Sequence, residues 1–233
     1  MIHIPSFLKL ERILLNNNEM IIKYIEEKKF EKAAELLNDA ITENPNDPLG
    51  YINFGNLLLH MNDYERSKRF FDKAVELDSE AATAYYGLGN LYYQQKKFKE
   101  AQENYQKAIQ SGLEEGDVFY MLGMAFKGDE QDLLALPYLL RATELNPKDT
   151  ESLFQYGLTL AQTHYIDEAK SIFEKIIESN EKHADAHYNL GVIALFHEHP
   201  DEALNHFEEA LSIQPDHLLA ANGKQKVRKA LNE

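Results

Sequence analysis

The sequence predicts an all-α protein, a solenoid of paired helices, and three observations carry that prediction. Glycines recur at a fixed interval: Gly55, Gly89, Gly123, Gly157 and Gly191 are 34 residues apart. A glycine inside a helix costs about 1 kcal/mol relative to alanine, so a periodic one needs a packing reason, and a period of this size marks stacked repeats. Bulky residues keep the same register, with Tyr51, Tyr85, Phe119, Leu153 and His187 four positions before the glycines and Phe71, Tyr105, Leu139, Phe173 and Phe207 sixteen after. Finally, seven prolines and eleven glycines in 233 residues are too few for a loop-rich fold and suit long helices.

Each unit divides into two helices. Within each half the intervals are multiples of three and four, the spacing of one helical face. The second half carries small residues at Ser67, Ala101, Ala135, Ala169 and Ala203, and again at Ala74, Ala108, Ala142 and Ala210, with Ile176 in repeat five. Small side chains mark the closest approach of two helix backbones. A polar turn such as Met61-Asn62-Asp63 separates the halves, so each unit reads as helix A, turn, helix B. The units run 14–47, 48–81, 82–115, 116–149, 150–183 and 184–217. In the first, Tyr24, Phe30, Ala33, Leu37, Ala40 and Pro45 keep the register while Ile21 replaces the glycine. In the fourth, Gly128 to Asp132 is a softer turn and Pro137 removes a hydrogen bond from helix B, which predicts a bend and a local change of pitch. Repeats fill 14–217 with no internal domain boundary.

Terminal units of such an array need polar caps. Residues 218–233 predict a capping helix with Leu218, Ala221, Val227 and Leu231 inward, Lys224, Lys226, Arg228 and Lys229 in solvent, and Gly223 as a weak point. Residues 1–13 precede the register. They read either as a short cap helix or as sequence ahead of a start at Leu14 or Leu15, with Glu11-Arg12 encoded by a purine-rich ribosome-binding sequence.

Composition narrows the function. Twenty-four Lys and Arg against 39 Asp and Glu leave a formal charge of −15, which repels phosphate backbones and anionic headgroups. Nucleic acid and membrane surfaces are therefore poor partners. No cysteine is present, which excludes disulfides, thiol nucleophiles and cysteine-based zinc sites. No run approaches the roughly 18 apolar residues of a spanning helix, and the start lacks the pattern of a signal peptide. A cytoplasmic protein is the expectation.

The pattern resembles the tetratricopeptide repeat (TPR) consensus, a 34-residue helix-turn-helix with an aromatic, Leu-Gly, Tyr, Ala, Phe, Ala and Pro in fixed order. Leu88-Gly89, Leu122-Gly123 and Leu190-Gly191 match its central pair, and Pro147 and Pro215 its closing proline. Tyr51-Ile52-Asn53-Phe54, Phe119-Tyr120-Met121-Leu122-Gly123 and Ile213-Gln214-Pro215-Asp216-His217 resemble more narrowly the small YrrB-like TPR proteins of Gram-positive bacteria. The resemblance implies a right-handed α-α superhelix, a scaffolding role and no catalytic residue.

It also implies a binding face. In the family, helix A lines the concave surface, and the residue after the first aromatic points into the groove. On this sequence those residues are Ile52, Tyr86, Tyr120, Phe154 and Tyr188. One turn on are Asn56, Asn90, Met124, Leu158 and Val192. Tyr93, Lys127 and Phe196 lie further along, with Asp117, Glu151 and Asp185 at the margin. This is an aromatic and apolar strip with an acidic edge, and Asn56 and Asn90 carry the paired donor and acceptor that can clamp a peptide backbone. A protein or peptide with an apolar and basic segment suits it. The competing reading takes the aromatics as core, since aromatics at helical spacing pack inward more often than they face a ligand.

Other chemistry finds little support. Some TPR domains clamp a chaperone's C-terminal carboxylate with asparagines, lysines and an arginine, but Asp117 and Glu151 stand where cations are needed. His183 and His187 are four apart and share a helix face, yet no His-Glu-x-x-His run exists, so packed or solvated histidines are the better reading and no metal or cofactor is expected. Acidic pairs such as Asp167-Glu168 and Asp201-Glu202 read as helix-B caps. The readings left open are a protein-interaction adaptor, a self-assembling structural protein with an empty groove, and indirect association with RNA-handling machinery through a protein partner.

Overall fold

A computed structural model describes residues 19–231; the expectations for residues 1–13 fall outside them. The described residues form helices joined by short turns, without strands. Although the 34-residue register runs on through residues 111–116, the chain packs as two compact units divided between Glu114 and Glu115.

The first unit contains α1 (residues 19–26), α2 (Phe30–Glu43), α3 (Pro48–His60), α4 (Tyr64–Leu77), α5 (Ala82–Gln94) and α6 (Phe98–Gln110). The second contains α7 (Gly116–Gly128), α8 (Asp132–Leu145), α9 (Thr150–Gln162), α10 (Ile166–Ser179), α11 (Ala184–Phe196), α12 (Pro200–Ile213) and α13 (Leu218–Leu231). Odd-numbered helices from α1 to α11 are the A helices, even-numbered ones the B helices, and α13 follows the sixth pair.

The periodic glycines are notches for rings. A Cβ on Gly89 would lie 2.4 Å from the Tyr105 ring, one on Gly191 would lie 2.6 Å from Phe207, and one on Gly123 would lie 2.7 Å from Leu139. Each glycine-bearing helix A from α3 to α11 thus admits the large side chain that its own helix B delivers sixteen residues later. Two rings are notched from both sides, Phe71 by Gly55 and Gly87, and Phe207 by Gly191 and Gly223. Gly223 therefore has a packing role in α13. Ser67 stands at an alanine position because its buried hydroxyl donates to the Gly55 carbonyl at 2.8 Å.

Each A-to-B turn is closed in the same way. Lys28, Asn62, Lys96, Glu130, His164 and Glu198, again 34 apart, have φ between 56° and 69°. The next residue's N–H reaches back to the carbonyl five residues earlier, as Asp63 does to Leu58 and Gln131 to Phe126, each at 2.9 Å. The left-handed residue's own N–H bonds three residues back. This pairing satisfies carbonyls that the helix end leaves open.

Helix starts vary. Asp47 accepts from the Leu49 N–H, Asp63 from Arg66, and Asp149 from Glu151 and Ser152, while His183 and His217 use Nδ1 to cap Ala186 and Ala220. The acidic pairs Asp167-Glu168 and Asp201-Glu202 lie within the first turns of α10 and α12, two and three positions inside the N-cap residues Tyr165 and His199 rather than at the caps themselves. There they still complement the dipole.

α8 runs as one helix with Pro137 inside it. One further expectation changes. In α13, Ala220 and Val227 face inward while Leu218, Ala221 and Leu231 are exposed. The cap at His217 and the notch at Gly223 set that register, turning the inward stripe away from three of the four residues expected there.

Candidate protein-binding surface

In the first unit the ladder residues divide between core and surface. Ile52 is 5% exposed and packs with Leu59, Phe71, Ala84 and Leu88. Its side chain is core, which corrects its assignment to the groove: an aliphatic side chain of this size fills the space between α3 and its neighbours. Asn56 is exposed. Tyr86 is half-buried, its ring 5.8 Å from that of Tyr105. The Tyr105 hydroxyl donates to Asn90 Oδ1 at 2.8 Å, so part of Asn90's hydrogen-bonding capacity is spent inside the unit. Burial pushes the Tyr105 phenol far above its ordinary range, which keeps it a neutral donor. Tyr93 is half-buried with its ring edge-on to Phe98, and burial raises its pKa too.

In the second unit the A helices carry a cross-repeat polar network. The Tyr120 hydroxyl donates to Glu151 Oε1 at 3.3 Å, and Gln155 Nε2 donates to the same oxygen at 3.1 Å. Lys127 Nζ donates to Gln155 Oε1 at 3.4 Å. Lys127 is half-buried, and desolvation lowers its pKa against a smaller opposing pull from Asp132. The network ties α7 to α9 and orients the carboxylate of Glu151.

Beside that network lies apolar surface. Met124 and Leu158 are half-buried. Phe154 rests on Phe173, centroid to centroid 5.8 Å, and on the His183 ring at 5.2 Å. Tyr188 rests likewise on Phe207 at 5.9 Å and His217 at 5.2 Å. Tyr86, Phe154 and Tyr188 therefore each rest on the core aromatic of their own repeat, nineteen positions on, and turn part of the ring outward. Val192, Leu195 and Phe196 on α11 are exposed, Phe196 to 64%. Asp117, Glu151 and Asp185 are exposed on the same helices, with Asp185 accepting from the buried His217 Nε2 at 3.1 Å.

Sequence reasoning missed Gln155 and Leu195. Gln155 had a signal, standing four residues after Glu151 on one helix face. Leu195 had one too, 34 residues after Ala161 and 68 after Lys127. The histidines take up structural roles: His187 Nε2 bonds the Glu181 carbonyl at 3.2 Å, as Tyr51 and Tyr85 bond Pro45 and Ser79, and its Nδ1 lies 3.3 Å from His206 Nδ1. Among the described residues no group of three histidine or acidic side chains converges as metal ligands do, and no helix is long and apolar enough to cross a membrane.

Tetratricopeptide repeat models match residues 48–111, 150–183 and 184–217. Among solved structures, the chain is 50% identical to YrrB, described as a TPR protein with an unusual peptide-binding site; the match covers 81% of this chain and 97% of that one at a TM-score of 0.75. PilF of Pseudomonas aeruginosa shares the fold at 18% identity, with 91% and 96% of the two chains covered and a TM-score of 0.76. MamA does so at 22% identity, 69% and 94% coverage and a TM-score of 0.65. No curated protein sequence matches the chain significantly.

Proposed function

Because this chain belongs to the tetratricopeptide repeat family, a fold that serves as a protein-interaction scaffold, we propose that it is a non-enzymatic adaptor whose A helices hold a segment of another protein. The observation that carries this reading is the second unit's surface. There Met124, Phe154, Leu158, Val192 and Phe196 offer apolar area within a margin of Asp117, Glu151 and Asp185. Such a surface favours an extended or helical segment that alternates apolar with Lys or Arg residues. The half-buried rings suit the task, because a side chain already held on one face loses little entropy when a ligand covers the other. The peptide-binding site ascribed to YrrB supports the same reading by similarity.

Fluorescence anisotropy with a labelled Leu/Lys peptide and its Leu/Glu counterpart tests it. The basic peptide is expected to bind at least about 10-fold more tightly, with the preference shrinking as salt rises. Asp117→Lys combined with Phe196→Ser alters two exposed side chains and is expected to weaken binding while leaving helicity intact. Equal affinity for the two peptides would rule out the acidic margin as a determinant.

A further inference from the structure

The helix-B faces provide an internal control. Five outward positions of α8 hold Leu133, Leu134, Pro137, Leu140 and Arg141. At the same five register positions the other five repeats hold only charged, amide or hydroxyl side chains, as in Asp167, Glu168, Ser171, Glu174 and Lys175 of α10. Each of those five faces includes at least one carboxylate, and the α8 face has none at these positions. Leu133 is 63% exposed, Leu134 53% and Leu140 40%, and Pro137 is exposed between them. Isolated surface leucines are ordinary, but a contiguous stripe that five sister repeats avoid marks a contact surface.

Charge identifies the occupant. On a chain of net charge −15, any encounter between two copies is repulsive wherever carboxylates face each other. The five outward α8 positions lack them, Glu144 standing one turn beyond Leu140, and their single cation, Arg141, calls for an acidic counterpart. The chain supplies one at the other end of the same helix, where Asp129, Glu130 and Asp132 surround the α8 N-terminus. Arg141 is paired with Glu144 at 2.9 Å, but both side chains are about half exposed and can exchange partners.

We infer that the outer face of α8 is a contact surface for a second copy of this chain, two α8 helices packing antiparallel about a two-fold axis near Pro137. An isologous contact must be self-complementary. In this arrangement Leu133 of one copy meets Leu140 of the other, and Arg141 lies over the acidic turn of its partner. A single helix face falls short of the area that permanent dimers bury, so the association is weak, with a Kd on the order of 10–100 µM.

Sedimentation equilibrium of the full chain from about 5 to about 500 µM reads that association directly. Wild type is expected to shift from monomer to dimer, and Leu133→Glu with Leu140→Glu to remain monomeric with an unchanged circular dichroism spectrum. Because the chain has no cysteine, single introduced thiols report geometry: Pro137→Cys, near the axis, should form an intermolecular disulfide at least about 10-fold faster than Ser171→Cys on α10. A wild type that stays monomeric at the highest concentration overturns the inference, whether or not another protein binds those leucines. So does a dimer that survives the double substitution, or equal cross-linking at both positions.

Discussion

At Gly89 the 34-residue period becomes a matter of atomic clearance. The Tyr105 ring fills the space where a Cβ would stand, so Gly89→Ala must push the ring or separate α5 from α6. Overpacking of this kind costs about 1–3 kcal/mol, measurable as a lower urea midpoint. At Gly157 the nearest atoms to a Cβ are 3.0 Å away and belong to side chains of α10. There the helix gain of about 1 kcal/mol offsets milder crowding, and Gly157→Ala is expected to lie near neutral. Titration of His206 is a second residue-scale effect. Burial, then the nearby charge of His187, lowers its pKa, and Lys170 acts in the same direction while Glu202 and Glu209 oppose it. Above about pH 6.5 neither folded nor unfolded His206 carries a proton; below it the unfolded chain gains one first, so stability falls as the solution is acidified. Thermal melts at pH 7.5 and 5.5 should show a drop in wild type that His206→Gln reduces. The sequence revealed which positions recur but left the ladder undecided between core and groove. The rings themselves explain this: Phe154 and Tyr188 pack on one face and meet solvent on the other. Ile52 went to the core because helical register fixes a direction, while the depth of burial depends on the neighbours.

Elements end by a device that residue type conceals. Of the six left-handed turn residues only Asn62 and His164 belong to types enriched in this conformation; the others are Lys and Glu. Their signal is the register position. A non-glycine residue held there is strained by about 1 kcal/mol, and glycine at the end of a helix relieves it. Lys96→Gly and Glu130→Gly should each raise stability by about 0.5–1 kcal/mol, read as parallel shifts of the urea transition in the two units. A decrease at either site would mean that its side chain makes a contact worth more than the strain. Gly223 is the converse case: read alone it weakens α13, but beside Phe207 it completes a notch. Sequence propensity registers the first effect and has no access to the second.

For the whole molecule, the array of repeats was legible because the period spans nearly the entire chain. The division between Glu114 and Glu115 was not, since the register continues through it. The end of the array has a testable consequence. Phe207, Ala210, Ala220 and Val227 form one cluster, so deletion of residues 218–231 uncovers apolar surface on α12. The truncated chain is expected to melt at least about 5 °C lower and to aggregate on heating, whereas loss of a solvated tail would leave the melting temperature unchanged.

The doubly notched rings also constrain how such a chain can be rearranged over evolutionary time. Phe71 and Phe207 each fit between a glycine of their own repeat and one of the following helix, Gly87 or Gly223. At the equivalent position the helices α7, α9 and α11 carry Met121, Gln155 and Asn189. Phe173 precedes Asn189 and has no second notch, so the key is particular to the joints after α4 and α12, and transplanting α4 in front of α9 would seat its ring against Gln155. The modules share one length and one outline, yet they are not freely interchangeable: gene duplication can lengthen this array, but shuffling its order requires the joints to be recut.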